Sequence, residues 1–258
     1  MIQTRSSFYY IQDSIDSENL WLDFDEGTGE ISAQVQAGSY TPTNLASAVQ
    51  DALNDSISVN TYAVTFDRET RQFTISANNN FDLLISSGSH AGTNVFSILG
   101  FSGPDLTGTD TYSGDVSVNE YKPQFYLQDY IDQEDLRRSV QATVNKSASG
   151  TIEVVKFGTE KFFEFNIRLI TDIDQGVNSW VETNLNGLIE ARSFLRFITE
   201  KKDLEFIPDR TDKNTFYTVL LESTEESRDG TGYRLKELYP QGLVGYYETG
   251  KLTFRIVE

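Results

Sequence analysis

The sequence predicts a mainly β, mostly antiparallel protein: a β-sandwich carrying one inserted small α+β module and one further helix. Three observations lead there. Apolar residues alternate with polar ones in many short runs, the signature of half-buried strands. The composition is rich in Gly (18), Tyr (13) and Phe (17) and holds only 5 Pro, which suits aromatic-packed sheets. Helical apolar periodicity is clear in only two stretches. At 258 residues the chain is long enough for one large or two modest domains with a core of their own.

The elements follow in chain order. "LWLDFDE" places Leu20, Leu22 and Phe24 on one face and Trp21, Asp23 and Asp25 on the other, so the two aspartates are expected on the solvent face of a strand. "GTGE" is a turn, and "ISAQVQA" alternates again through Ile31, Ala33, Val35 and Ala37. In "AGSYTPTNLASAVQDALN", Thr41 can cap a helix and Pro42 fits its first position, where no N–H partner is needed. Leu45, Val49, Ala52 and Leu53 then form one buried stripe. "TYAVTFDRETRQFTISA" reads as a hairpin, with Tyr62, Val64 and Phe66 facing Phe73, Ile75 and Ala77. "FDLLIS" reads as a further strand. Ser102–Asp115 shows turn chemistry without periodicity, and marks the exit from a compact β-α-β-β-β module over residues 29–115.

Residues 1–28 and 116–258 make up the sandwich. Its strands are "TIEVVKFG", "KFFEFNIRLI", "LEFIP", "FYTVLLES" and "YRLKEL", and "LVGYYETGKLTFRIV" reads as a closing hairpin turned at Glu248 to Lys251. Its helix is "NGLIEARSFLRFITEKK", with Leu188, Ala191, Leu195 and Ile198 on one face, Asn186 as cap and Lys201-Lys202 at the negative end of the dipole. An internal similarity brackets the module: "YIQDSIDSENL" (Tyr10–Leu20) matches "YLQDYIDQEDL" (Tyr126–Leu136) at 7 of 11 positions. Two similar strand-turn-strand corners, or a duplicated element, account for it.

Composition also restricts chemistry. The formal net charge is −18, and Lys201-Lys202 is the nearest approach to a basic cluster, so sequence-specific nucleic-acid binding is not expected. No apolar run approaches a membrane span, and "MIQTRSSFYY" has no signal-peptide core, so neither membrane insertion nor that export route is expected. The absence of cysteine removes disulfides and thiolate metal sites. His90, the single histidine, excludes a multi-histidine metal site. A Ser-His-Asp triad through it would lack a nucleophile-elbow pattern, and His90 reads as a polar loop residue. "DFDEGTGE" falls short of a calcium loop, because Thr28 stands where glycine is required and Gln34 where the bidentate glutamate is required. The "GTG" runs at Gly27–Gly29 and Gly230–Gly232 lack phosphate-loop spacing. Among 39 acidic residues, close carboxylate pairs are inevitable and do not specify a glycosidase. The expectation is therefore a protein that is not an enzyme, with no catalytic, cofactor-binding or metal residues and no cofactor.

The succession "GEISAQVQAGSYTPTNLASAVQDALN", "NTYAVTFDRETRQFTIS", "FDLLIS" and "SILGF" resembles a module that recurs in bacteriophage virion proteins. Gly38, Tyr40, Thr41, Leu45, Leu53, Asn54, Tyr62, Val64, Thr65, Phe73, Ile75, Leu99, Gly100 and Phe101 carry that likeness, which covers about a third of the chain. The flanking part, with "KFGTEKFFEFNI" and the closing strands, is similar in kind to distal tail or baseplate ring proteins. The resemblance implies a non-catalytic structural component of a phage tail, made in the host cytoplasm and located in the virion. It implies a homo-oligomeric ring, often a hexamer, in contact with other tail proteins. Negative walls in such a ring would not hold DNA in passage. The alternatives are a receptor- or glycan-binding module of a fibre or decoration protein, and a glycan hydrolase.

Overall fold

The computed structural model describes residues 2–3, 6–123, 125–126, 135–146, 152–168, 170–171, 187–239, 242 and 245–257. The elements run β1 (Ile2–Gln3), β2 (Ser7–Tyr10), β3 (Trp21–Asp25), β4 (Glu30–Gln34), α1 (Pro42–Asp55), β5 (Tyr62–Asp67), β6 (Gln72–Leu83), β7 (Leu106–Ser113) and β8 (Asn119–Tyr121). They continue β9 (Phe125–Tyr126), β10 (Asp135–Lys146), β11 (Ile152–Asn166), α2 (Leu188–Thr199), β12 (Leu204–Ile207), β13 (Tyr217–Thr224), β14 (Lys236–Glu237), β15 (Tyr247–Glu248) and β16 (Lys251–Ile256). The protein is mainly β, and the β3–β4, β3–β6, β5–β6, β6–β7, β10–β11, β11–β16 and β13–β16 pairings are antiparallel, in line with the mostly antiparallel class expected. The chain divides into two compact units, Phe8–Glu120 with Asp203–Phe216, and Met1–Ser7 with Tyr121–Lys202 and Tyr217–Glu258.

In the unit built on Phe8–Glu120, the strand order is β4-β3-β6-β5, with β7 also paired to β6. β3 lies outside the 29–115 range, yet it pairs with both β4 and β6. The β3–β4 turn is built by Asp25, whose Oδ1 accepts from the amides of Gly27, Thr28 and Gly29. Gly27 and Gly29 have φ of 89° and 114°, a region where a side chain is strained. α1 starts as its sequence dictates. Pro42 has no N–H to lose, the Asn44 amide donates to Thr41 Oγ1 at 3.2 Å, and the Thr43 amide donates to Glu205 Oε1 at 2.9 Å. Its Leu45, Val49 and Leu53 are fully buried in one core with Leu22, Phe24, Val35, Phe73, Ile75, Phe96 and Leu99. Tyr62 stands edge-on between Phe24 and Phe81, at centroid distances of 5.4 and 5.1 Å. The same unit contains the neighbouring strands β12, β2 and β8, where the Phe8 and Phe206 rings lie 4.9 Å apart.

In the other unit the order is β10-β11-β16-β13. Phe163, Phe165, Val219, Leu221, Leu252 and Phe254 are buried, and the Phe165 and Phe254 rings stack at 5.1 Å. α2 buries Ala191, Phe194, Leu195, Phe197 and Ile198. Its start is Gly187, whose amide donates to Glu190 Oε2 at 3.1 Å.

Four expectations change. Ser102–Asp115 contains a strand, β7, paired through Thr74↔Ser113, Ile75↔Tyr112 and Ser76↔Thr111. Only Tyr112 is buried along β7, so the partner's backbone orders it rather than any apolar alternation of its own. "FDLLIS" is not a separate strand; its first three residues complete the 12-residue β6. "RRSVQATVNK", given no element above, forms most of β10. Residues 247–256 do not form a closing hairpin, since β15 pairs with β14 while β16 pairs with β11 and β13. The second copy of the internal similarity lies largely outside the described residues, as does Asn186.

Candidate functional site

β3 and β4 present Trp21, Asp23 and Asp25 beside Gln34, Ser32 and Glu30 in antiparallel register. The alternation reading sorted these faces correctly, with Leu22 and Phe24 in the core. It expected solvent over Asp23, however, and Asp23 is 1% exposed. The reason is the segment after β6, which folds over this face. Its Leu84 amide donates to Asp23 O at 2.9 Å, and its Val95 amide donates to Trp21 O at 2.9 Å. Gly88 makes the close approach feasible, because a Cβ there would lie 2.6 Å from Asp23 Cβ.

This segment carries His90 onto the aspartate. The His90 amide donates to Asp23 Oδ2 at 2.6 Å, and His90 Nδ1 faces Asp23 Oδ1 at 2.9 Å. Ser32 Oγ donates to the same Oδ1 at 2.7 Å. The imidazole stacks on Trp21 with centroids 4.1 Å apart and planes 12° from parallel. Glu30 closes the group, as its Oε1 accepts from the Ser89 amide at 2.7 Å and from the Ser89 hydroxyl. Donor atoms of Asp23, Glu30 and His90 all fall within 4.8 Å of one another, the one such set among the described residues that could hold a metal ion.

The chemistry open to this cluster is limited. Ser32 Oγ and Ser89 Oγ both lie beside His90 Nδ1, at 3.4 and 3.2 Å. That is the nitrogen already facing Asp23, whereas a hydrolytic triad places serine on the opposite nitrogen. His90 is thus more than the polar loop residue expected, yet its surroundings are not those of a triad. Nor does the calcium-like run behave as a cation loop. Asp25 is taken up by three turn amides, and Glu26 accepts from the Val59 and Asn60 amides and the Tyr62 hydroxyl. Burial, reinforced by the Glu26 hydrogen bond, pushes the Tyr62 hydroxyl well above the ordinary tyrosine range.

A neighbouring open cleft of about 570 Å³ is lined by Glu18, Asn19, Ser86, Asn94 and Ser102 among others. Its single aromatic lining residue, Phe101, is buried, so the cleft offers no exposed ring for stacking on a sugar. Hydrogen bonds from Ser87 and from Ser86, one of the lining residues, hold the Asp105 carboxyl down at about 2. No helix among the described residues is long and apolar enough to cross a membrane.

Part of the cluster had a signal in the sequence. The Gly27–Gly29 turn sets the β3–β4 register, and that register places Ser32 opposite Asp23 and Glu30 opposite Asp25. His90, 67 positions from Asp23, has no spacing relation to either. Compared with protein-family models and with curated proteins, the sequence matches neither a family nor a relative.

Proposed function

We propose that the chain is a non-catalytic structural component of a phage tail or baseplate, assembling as a ring or connector through subunit–subunit contacts. The observation that carries this reading is the β10–β11 hairpin. β11 runs from Ile152 to Asn166, but β16 pairs only with Phe162 to Asn166. Ile152–Lys161 pair with β10 alone among the described residues. At about 3.3 Å per residue, that is an arm of roughly 33 Å. A two-stranded ribbon is marginally stable by itself in water, and an open strand edge is a template for pairing with another chain. Such an arm is suited to engaging a neighbouring subunit.

The resemblance adds the kind of particle. Of the residues that carry it, Leu45, Leu53, Tyr62, Val64, Phe73, Ile75, Leu99 and Phe101 all lie in one buried core, so they describe a building block rather than a site. The deciding experiment is imaging of the assembled particle, with size measurement of the purified chain alongside. The expected result is a closed ring on the tail axis, and a discrete oligomer or a monomer that assembles when its tail partner is added. Density only on the capsid surface or at a fibre tip would refute the proposal.

A further inference from the structure

We propose that Asp23, Glu30 and His90 form a binding site for a divalent transition-metal cation of the zinc class. This goes beyond the assembly reading and does not depend on it. The first argument is charge. Asp23 is 1% exposed, and among the described residues it has no lysine or arginine ion pair; its sole cationic neighbour is His90. Glu30 adds a second carboxylate to the same cluster. A buried carboxylate beside another acid favours a cation at the site, and a divalent ion brings two positive charges to it.

The second argument is the donor set and its rigidity. One imidazole nitrogen with two carboxylate oxygens matches zinc and its neighbours, whereas calcium and magnesium favour oxygen alone. Zinc binds such donors at about 2.0–2.2 Å, which places neighbouring donors a little over 3 Å apart. His90 Nδ1 and Asp23 Oδ1 are at 2.9 Å, near that spacing already. Trp21 fixes the ring from below, and the His90 amide fixes the backbone on Asp23. Glu30 is exposed, and its carboxylate, which accepts from Ser89, is the group that turns to close the remaining distance. Three protein ligands with an open solvent side leave a fourth position for water or for a donor from another molecule. Bound there, the ion ties the Leu84–Val95 segment to the β3–β4 hairpin.

The test uses the full chain purified without a polyhistidine tag, stripped with a chelator, and titrated with zinc chloride by calorimetry. Because His90 is the single histidine, its ring ¹⁵N resonances report the site without assignment. The expected result is one ion per chain, with the ring resonances shifting in the same step. Millimolar magnesium or calcium should not compete. Glu30→Gln, at an exposed position and verified folded by circular dichroism, should weaken binding about tenfold or more. His90→Gln, verified folded by circular dichroism, should abolish it. His90 resonances that stay unmoved in millimolar zinc would overturn the proposal. So would unchanged affinity in both variants. Either result leaves the cluster as a hydrogen-bonded clasp.

Discussion

Replacing Glu205 with Gln tests the most buried ion pair of the Phe8–Glu120 unit. Glu205, on β12, is fully buried. Its Oε2 faces Arg68 Nε at 3.1 Å, and its Oε1 accepts from the Thr43 amide and hydroxyl at the start of α1. Arg68 Nη2 donates to the same Thr43 hydroxyl, and the guanidinium lies 3.6 Å from the centroid of the Phe216 ring. The carboxylate thus neutralises the arginine and satisfies a helix N-terminal amide whose partial positive charge favours an anion. Gln keeps the volume and one acceptor, but leaves Arg68 without its counter-charge. Breaking a buried pair costs roughly 3–5 kcal/mol. Arg68 keeps 17% of its side chain in solvent, which argues for the lower end, about 3 kcal/mol. At about 3 °C per kcal/mol, the transition of this unit should fall by roughly 9 °C. Calorimetry and urea unfolding followed by circular dichroism measure this. Arg68→Met in the Glu205→Gln background should recover part of the loss, since it removes the orphaned charge. A cost below about 1 kcal/mol, the range of an exposed pair, would refute the reasoning.

Two further predictions concern neighbouring features. Gly100→Ala should destabilise by at least about 2 kcal/mol, because a left-handed backbone is strained for alanine. Gly100 has φ of 79°, and a Cβ there would overlap the Val116 carbonyl; thermal unfolding of the variant checks it. Asp105 accepts from the Ser86 amide and hydroxyl and the Ser87 amide, and its folded pKa near 2 lies below the unfolded value near 4. Its contribution is therefore present above pH 4 and lost as pH falls through 2. The stability gap between the wild type and Asp105→Asn, measured by denaturant unfolding, should narrow from pH 5 to pH 2; a constant gap would count against the assignment.

Features that depend on near neighbours along the chain are legible in the sequence. Thr41, Pro42 and the Leu45–Val49–Leu53 stripe specified α1, and its cap and buried face are those expected. Alternation specified β3, β4 and β5, and placed Leu22 and Phe24 inward. These features are legible because a helix or strand repeats its burial every 3.6 or 2 residues. Tertiary structure decided everything that rests on a distant partner. Alternation tells which side of a strand a residue is on, and not what covers that side; Asp23 is buried because Gly88 and His90 come back over it. β7 exists because β6 offers it a backbone edge, although its own residues are mostly exposed. The second cap of α1 comes from Glu205, 162 residues beyond the amide it accepts. Hydrogen bonds and counter-charges act over a few ångströms of space, and that proximity leaves no periodic trace along the chain.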